Sequence, residues 1–165
     1  MNEPVQLRPP ERRDLPLLSR LRNDPRIQRQ LMIARGHYSP RQIDAWIERR
    51  TLDPVGVFHV IDVNGACGFV QLTGIDKSAR LAYLGICLAS SARGKGVAAQ
   101  SLHLLEKLAR KDFGCFHLRL KVLRINRRAI AFYHKMGFTV REVQRRSHND
   151  EGVRRDVLVM EKGLQ

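Results

Sequence analysis

The segment Arg80 to Ser101, RLAYLGICLASSARGKGVAAQS, constrains this chain most. An apolar run from Leu81 to Leu88 stops at Ser90-Ser91, and Arg93-Gly94-Lys95-Gly96-Val97-Ala98 then leads into a helical pattern. A strand that ends in a glycine-rich loop opening a helix is a place to hold phosphate. The glycines let backbone approach a ligand closely. The first N–H groups of the helix have no partner inside it, and the helix dipole adds partial positive charge there. Arg93 and Lys95 add full charges. The same residues also read as an ordinary helix start with two solvated cations, because short glycine motifs recur without a ligand. The loop alone leaves both readings open.

The rest of the chain supplies elements around this segment. Val5-Gln6-Leu7 reads as a short strand stopped by Pro9-Pro10. Asp14 to Arg22 carries Leu15, Leu18 and Leu21 at helical spacing, and Asn23-Asp24-Pro25 ends it. A short helix over Arg26 to Ile33 precedes a break at Gly36. Ser39-Pro40 opens another, a capping side chain followed by proline at the first helical position. The period then changes to two. Val57 to Val63 and Ala66 to Leu72 flank Asn64-Gly65, a hairpin signal, and Arg80 to Leu88 continues an antiparallel meander. A helix over Gly94 to Lys111 and a strand over Phe116 to Val122 follow. Strand, helix and strand in succession favour a parallel pair with a right-handed crossover. A helix over Asn126 to Lys135 stops at Gly137. Strands over Thr139 to Ser147 and Val153 to Met160 close the chain. The sum is an α/β fold: a mixed, mostly antiparallel sheet of about seven strands, with helices on its faces and a central parallel pair. No repeat or linker divides it, so residues 1–165 are expected to form a single domain.

Composition narrows the class. No apolar run approaches the roughly 20 residues of a membrane span, and MNEPVQLRPPERRD at the N-terminus has no signal-peptide core. Cys67, Cys87 and Cys115 have neither metal nor redox spacing, which suits reduced thiols in a cytoplasm. Thirty Lys and Arg against 16 Asp and Glu give a net charge of +14. Such a field attracts anions: nucleic acid, ribosomes, phosphorylated cofactors, nucleotide-linked substrates. The basic residues are scattered apart from Arg124–Arg128 and Arg141–Arg146, and a solvated basic surface accounts for them equally well.

A second motif joins the loop. Asn126-Arg127-Arg128-Ala129-Ile130-Ala131-Phe132-Tyr133-His134-Lys135-Met136-Gly137-Phe138 has the form N-x-x-A-I-x-F-Y-x-K-x-G-F. With R-x-x-G-x-A at Arg93 to Ala98 upstream, it resembles the two signature regions of the GCN5-related N-acetyltransferase (GNAT) superfamily. The resemblance is strong from Val57 to Phe138. Leu21-Arg22-Asn23-Asp24-Pro25 is similar to a segment of the branch that acetylates protein N-termini and nucleotide-linked amino sugars.

The resemblance implies a GNAT-like fold and transfer of acetyl from acetyl-CoA, the cosubstrate, directly to a primary amine. Arg93, Gly94, Lys95, Gly96, Val97 and Ala98 would hold the CoA pyrophosphate. The strand before the loop would bulge and splay from its neighbour, with Ile86, Cys87 and Leu88 pairing the thioester arm. An N–H at Leu88 would hold the thioester oxygen as it gains charge, an interaction worth about 3 kcal/mol in comparable sites. Tyr133 would protonate the departing thiolate; a phenol with pKa near 10 is protonated at neutral pH. Asn126, Ala129 and Phe132 complete the cofactor side, Asn126 as a helix cap or as a partner of the pantetheine arm. Phe132 and Tyr133 also read as packing residues.

The general base is open among His59, Tyr83, His117 and water. Cys87 beside the acetyl site suggests an acetyl-enzyme, but no histidine is placed by sequence to activate it, and the family transfers directly. The histidines do not cluster with carboxylates at ligand spacing, so no metal is expected. For the acceptor, the reading favoured here is a protein N-terminal amine. A nucleotide-linked amino sugar or other small-molecule amine is the alternative, and a non-catalytic acetyl-CoA-binding or ribosome-associated protein a further one. The acceptor is expected to enter between the N-terminal helices and the last two strands, with Tyr38, Trp46 and the Arg145-Arg146 pair as a shelf. An acidic or ribosome-associated protein is the expected macromolecular partner, no membrane is, and monomer and homodimer remain equally open.

Overall fold

The computed structural model describes residues 3–165. The strands are β1 (Gln6–Arg8), β2 (Val57–Asp62), β3 (Ala66–Asp76), β4 (Leu81–Leu88), β5 (His117–Leu123), β6 (Thr139–Asp150) and β7 (Val153–Gly163). The helices are α1 (Leu15–Asn23), α2 (Pro25–Gln30), α3 (Pro40–Thr51), α4 (Val97–Phe113) and α5 (Arg127–Lys135). All seven strands form one sheet in the order β1-β2-β3-β4-β5-β7-β6. Only β4 and β5 run parallel, the pair that α4 connects; the other neighbours are antiparallel.

Alternation along the strands sends side chains to two cores. On one face Val70, Leu72, Ala82, Leu84 and Leu118 pack against Leu102, Leu105 and Ala109 of α4, with Phe138 beyond α5. On the other, Phe58, Val60, Phe69 and Cys87 pack against Leu18 and Leu21 of α1, Ile27 of α2, and Ile43 and Trp46 of α3. Trp46 meets Phe58 and Phe69 edge to face at 5.3 and 5.5 Å between ring centroids. Its side chain is core.

Several boundaries differ from the sequence reading: β6 and β7 run on to Asp150 and Gly163 and α4 to Phe113, and three more differ near the site. α4 begins at Val97 rather than Gly94, because Gly94 and Gly96 sit at φ +74° and +76°, outside the right-handed helix. β3 runs past Leu72 to Asp76, with its register to β4 shifting between Thr73 and Asp76 around Gly74 at φ +57°. α2 stops at Gln30, short of Ile33, and Met32 takes φ +55°. The Ser39 cap of α3 is as expected: its hydroxyl accepts from Gln42 N at 3.2 Å, and Gln42 returns a bond to Ser39 N at 2.8 Å.

Candidate functional site

β4 and β5 pair only from Leu81–His117 to Tyr83–Arg119 and then part. Beyond Tyr83, β4 is bonded on one edge only. Ala89 N–H donates to Cys67 O at 2.8 Å. In an antiparallel ladder this makes Gly68–Leu88 and Val70–Ile86 the pairs without mutual hydrogen bonds. The N–H and C=O of Ile86 and Leu88 therefore point away from β3, into the gap that β5 has left. The expected splay is present. The expected bulge in β4 is not: its register to β3 is unbroken from Tyr83 to Leu88, and the irregularity lies at Thr73–Asp76.

The gap opens into a cavity of about 410 Å³. Ile86, Cys87 and Leu88 line it from β4, Arg93, Gly94, Gly96, Val97 and Ala98 from the loop and α4, and Asn126, Ala129, Phe132 and Tyr133 from α5. These residues, distant in sequence, are thus brought together. Of the residues named from the sequence, Lys95 alone is absent from the wall. Ile27, Gln30 and Leu31, and also Arg128, Lys135 and Met136, line it without having been foreseen.

At the loop end, the first bond within α4 runs from Gln100 N–H to Gly96 O at 3.1 Å, so the N–H groups before it are free of helix partners. A Cβ on Gly94 would meet nothing within 4 Å, and one on Gly96 only the Gln100 side chain at 3.8 Å. These glycines are required by their φ values, not by crowding. Arg93 lies exposed beside them, its guanidinium 3.5 Å from Leu88 O. The site is open, cationic and built of backbone donors, which fits a pyrophosphate.

At the other end, Tyr133 packs against Phe132 and Phe138 at 5.2 and 5.6 Å. Burial, with a smaller contribution from the nearby Cys87, pushes its phenol up to about 12. Burial likewise pushes the Cys87 thiol up to about 12, which disfavours the thiolate that covalent catalysis would need. Asn126 caps α5, its Oδ1 accepting from Ala129 N at 3.2 Å.

A second cavity, about 690 Å³, lies beside the first along β4, toward α1 and α3. Arg22, Trp46 and Arg50 line it from α1 and α3, Tyr38 from the loop before α3, and Gln71, Tyr83, Gly85 and Lys121 from the sheet. Ile86 and Leu31 belong to both cavities, so the two meet at β4. Its lining comes from the N-terminal segments, β3, β4 and Lys121 of β5 rather than from β6 or β7, although Asp150 of β6 bonds Arg29 and Arg35 nearby, so, contrary to expectation, the wall is built against β3 and β4 and not by the last two strands. The Arg145-Arg146 shelf is displaced with it: Arg146 N instead donates to Asp156 at 2.8 Å, at the irregular step of β6. Of the suggested bases, Tyr83 is on the wall, whereas His59 and His117 line neither cavity. His59 is partly buried, and burial lowers its pKa.

Among the described residues no group of three or more His, Cys, Asp or Glu is arranged to hold a metal, and no helix is long and apolar enough to cross a membrane.

Residues 5–139 match the family model of the acetyltransferase (GNAT) domain. No curated protein matches the chain in sequence. Among solved structures, it is similar to spermidine N-acetyltransferase from Vibrio cholerae in complex with CoA and spermine, with TM-score 0.88, 22% identity, and coverage of 97% of this chain and 95% of that one. A structure described as a probable acetyltransferase superposes with TM-score 0.85 at 22% identity, covering 98% of this chain and 94% of that one. A manganese-bound spermidine/spermine N-acetyltransferase from Vibrio cholerae gives TM-score 0.80 at 21% identity, covering 98% and 93%. These likenesses show the fold.

Proposed function

Because the chain belongs to the GNAT family and is an acetyl-CoA-dependent N-acetyltransferase, we propose that it acetylates a primary amine of a small molecule that enters through the second cavity. The observation that carries this reading is the meeting of the two cavities at Ile86. A cavity of about 690 Å³ is within the range of small-molecule sites. Leu31 to Ala34 and Tyr38 line one side of it. The polyamine substrates named for the similar solved structures support a small-molecule acceptor over the protein N-terminus favoured by the sequence.

Acetyl-CoA supplies the activated acetyl thioester. The α4 N-terminus and Arg93 bind its pyrophosphate. The free edge of β4 aligns the thioester arm through Ile86 and Leu88, and Leu88 N–H stabilises the charge that develops on the carbonyl oxygen. Tyr133 gives its proton to the departing sulfur. With its phenol near 12 it stays protonated across the working range. The attacking amine must be neutral. Arg22, Arg50 and Lys121 surround its cavity, and like charges lower an ammonium's pKa.

The test is a thiol-release assay with acetyl-CoA against small primary amines and short peptides. Saturable turnover of a small amine is expected. Turnover of peptides alone would contradict the reading.

A further inference from the structure

Most buried or half-buried charges in this protein have partners. Arg8 bonds Asp14 and Asp62, each at 2.8 Å. Arg29, Arg35 and Arg155 converge on Asp150. Arg119 and Arg141 share Glu161. Arg22 departs from this pattern. Its guanidinium lies over the rings of Trp46 and Tyr38, at 4.4 and 5.0 Å from their centroids. Its Nε is buried without a hydrogen-bond partner, and so is Nε1 of Trp46. Leaving such donors unmatched is costly. Burial draws the Arg22 pKa down, Tyr38 opposes this, and the neighbouring Arg50 and Arg49 add to the lowering. Arg50 and Lys121 stand on the same wall, and no Asp or Glu does.

The surrounding chain holds this arrangement in place. Asn23 binds both backbone groups of Tyr38, accepting from N at 2.6 Å and donating to O at 3.1 Å. Gln28, buried, donates to Arg22 O and Gly36 O, each at 2.8 Å. Asp24 caps α2 by accepting from Arg26 N at 2.8 Å. The loop between α2 and α3 is thereby folded back so that Tyr38 meets Arg22, while α3 presents Trp46 to the same guanidinium. A guanidinium packed near two aromatic rings, with a donor that the protein leaves unmatched, is a receptor for a planar or tetrahedral anion.

We propose that Arg22, backed by Arg50 and Lys121, binds an anionic group of the acceptor, so that this enzyme's substrates are amines carrying a carboxylate or a phosphate. The inference rests on the small-molecule reading and deepens it. The cavity spans from Arg22 to Ile86, so the anion seats at the arginine while the amine reaches the acetyl site. A polyamine brings a second ammonium to a wall of three cations with no carboxylate, and is disfavoured there. The group such an acceptor carries away from its reacting amine is therefore opposite in charge to that of the polyamines named for the similar solved structures.

Two measurements test this. The first compares γ-aminobutyrate, aminoethyl phosphate, putrescine and spermidine as acceptors, with short peptides as a further arm. The anionic amines are expected to exceed both polyamines in kcat/KM by about tenfold or more, as for a charge-assisted hydrogen bond. Arg22→Gln should raise KM for the anionic amines by about tenfold with a smaller change in kcat, and Arg22→Lys should restore part of the loss. Preference for the carboxylate or the phosphate identifies the anion. Preference for a polyamine overturns the proposal while leaving small-amine acetylation standing, and turnover of peptides alone contradicts that underlying reading. The second measurement does not require turnover. Trp46 is the only tryptophan in the chain, so its fluorescence reports on the site. Titration with inorganic phosphate and γ-aminobutyrate should give a saturable change that Arg22→Gln abolishes in protein of unchanged acetyl-CoA affinity. No saturable change in the wild type, or an equal change in the variant, overturns the proposal.

Discussion

Gly68 on β3 packs its bare α-carbon against the carbonyl oxygen of Cys87 on β4, so closely that a Cβ would overlap that oxygen and crowd Leu88 Cα at 3.1 Å. This contact fixes the position of β4 where its other edge is free.

Gly68→Ala must push Cys87 and Leu88 toward the gap. The expected effect is a loss of about 1–3 kcal/mol of stability, the range for an overpacked core, together with weaker acetyl-CoA binding. Chemical denaturation and calorimetry check the two effects separately. A variant of wild-type stability and affinity would mean that β4 gives way without cost.

Tyr133→Phe removes the proposed proton donor and keeps the packing against Phe132 and Phe138. The expected outcome is acetyl-CoA affinity nearly unchanged and kcat lower by about 10²-fold, the low end for a positioned acid. The pH profile carries a sign. A donor acts while protonated, and burial raises this phenol to about 12, so its loss should not produce a falling limb below pH 10. A wild-type limb near pH 9 that vanishes in the variant would contradict the shift.

The two ends of the site differ in how far sequence alone exposes them. The loop glycines, Asn126 and Tyr133 stand in contiguous motifs, and local geometry follows from such motifs. Ile27, Gln30 and Leu31 reach the same cavity only because α2 packs over β4, a tertiary contact that no local pattern encodes. Arg22 did leave a signal. It stands four residues after Leu18, at helical spacing from a fully buried residue, where a charge is unexpected. Asn23 and Asp24 beside it, read as a family cue, turn out to hold Tyr38 and cap α2. The shelf at Arg145-Arg146 is not formed. Arg145 and Arg146 line neither cavity, and the β6 residue that reaches the N-terminal segments is Asp150, which bonds Arg29 and Arg35.

Arg8 supplies a stability prediction remote from the site. It bonds Asp14, which is 1% exposed, and Asp62. Arg8→Ala leaves Asp14 buried and uncompensated, and should cost about 3 kcal/mol. The Arg8 guanidinium holds the Asp14 carboxyl below its ordinary value. That stabilisation is present above the unfolded-state pKa and is lost as pH falls through the lower folded one. Denaturation midpoints of wild type and variant should therefore converge in acid. A constant difference down to pH 2 would contradict the pairing.

Acetyl-CoA titrated into the wild-type protein and into Gly96→Glu, followed by calorimetry, tests the central claim that the free edge of β4 and the start of α4 form the cosubstrate site. Gly96 holds φ +76°, where a side chain is strained, and a carboxylate there repels phosphate. The account predicts a low-micromolar Kd, roughly −8 kcal/mol, for the wild type, with a raised Tm, and no binding by the variant. Absence of heat and of a thermal shift in the wild type at millimolar ligand, or equal affinity in the two proteins, would contradict it.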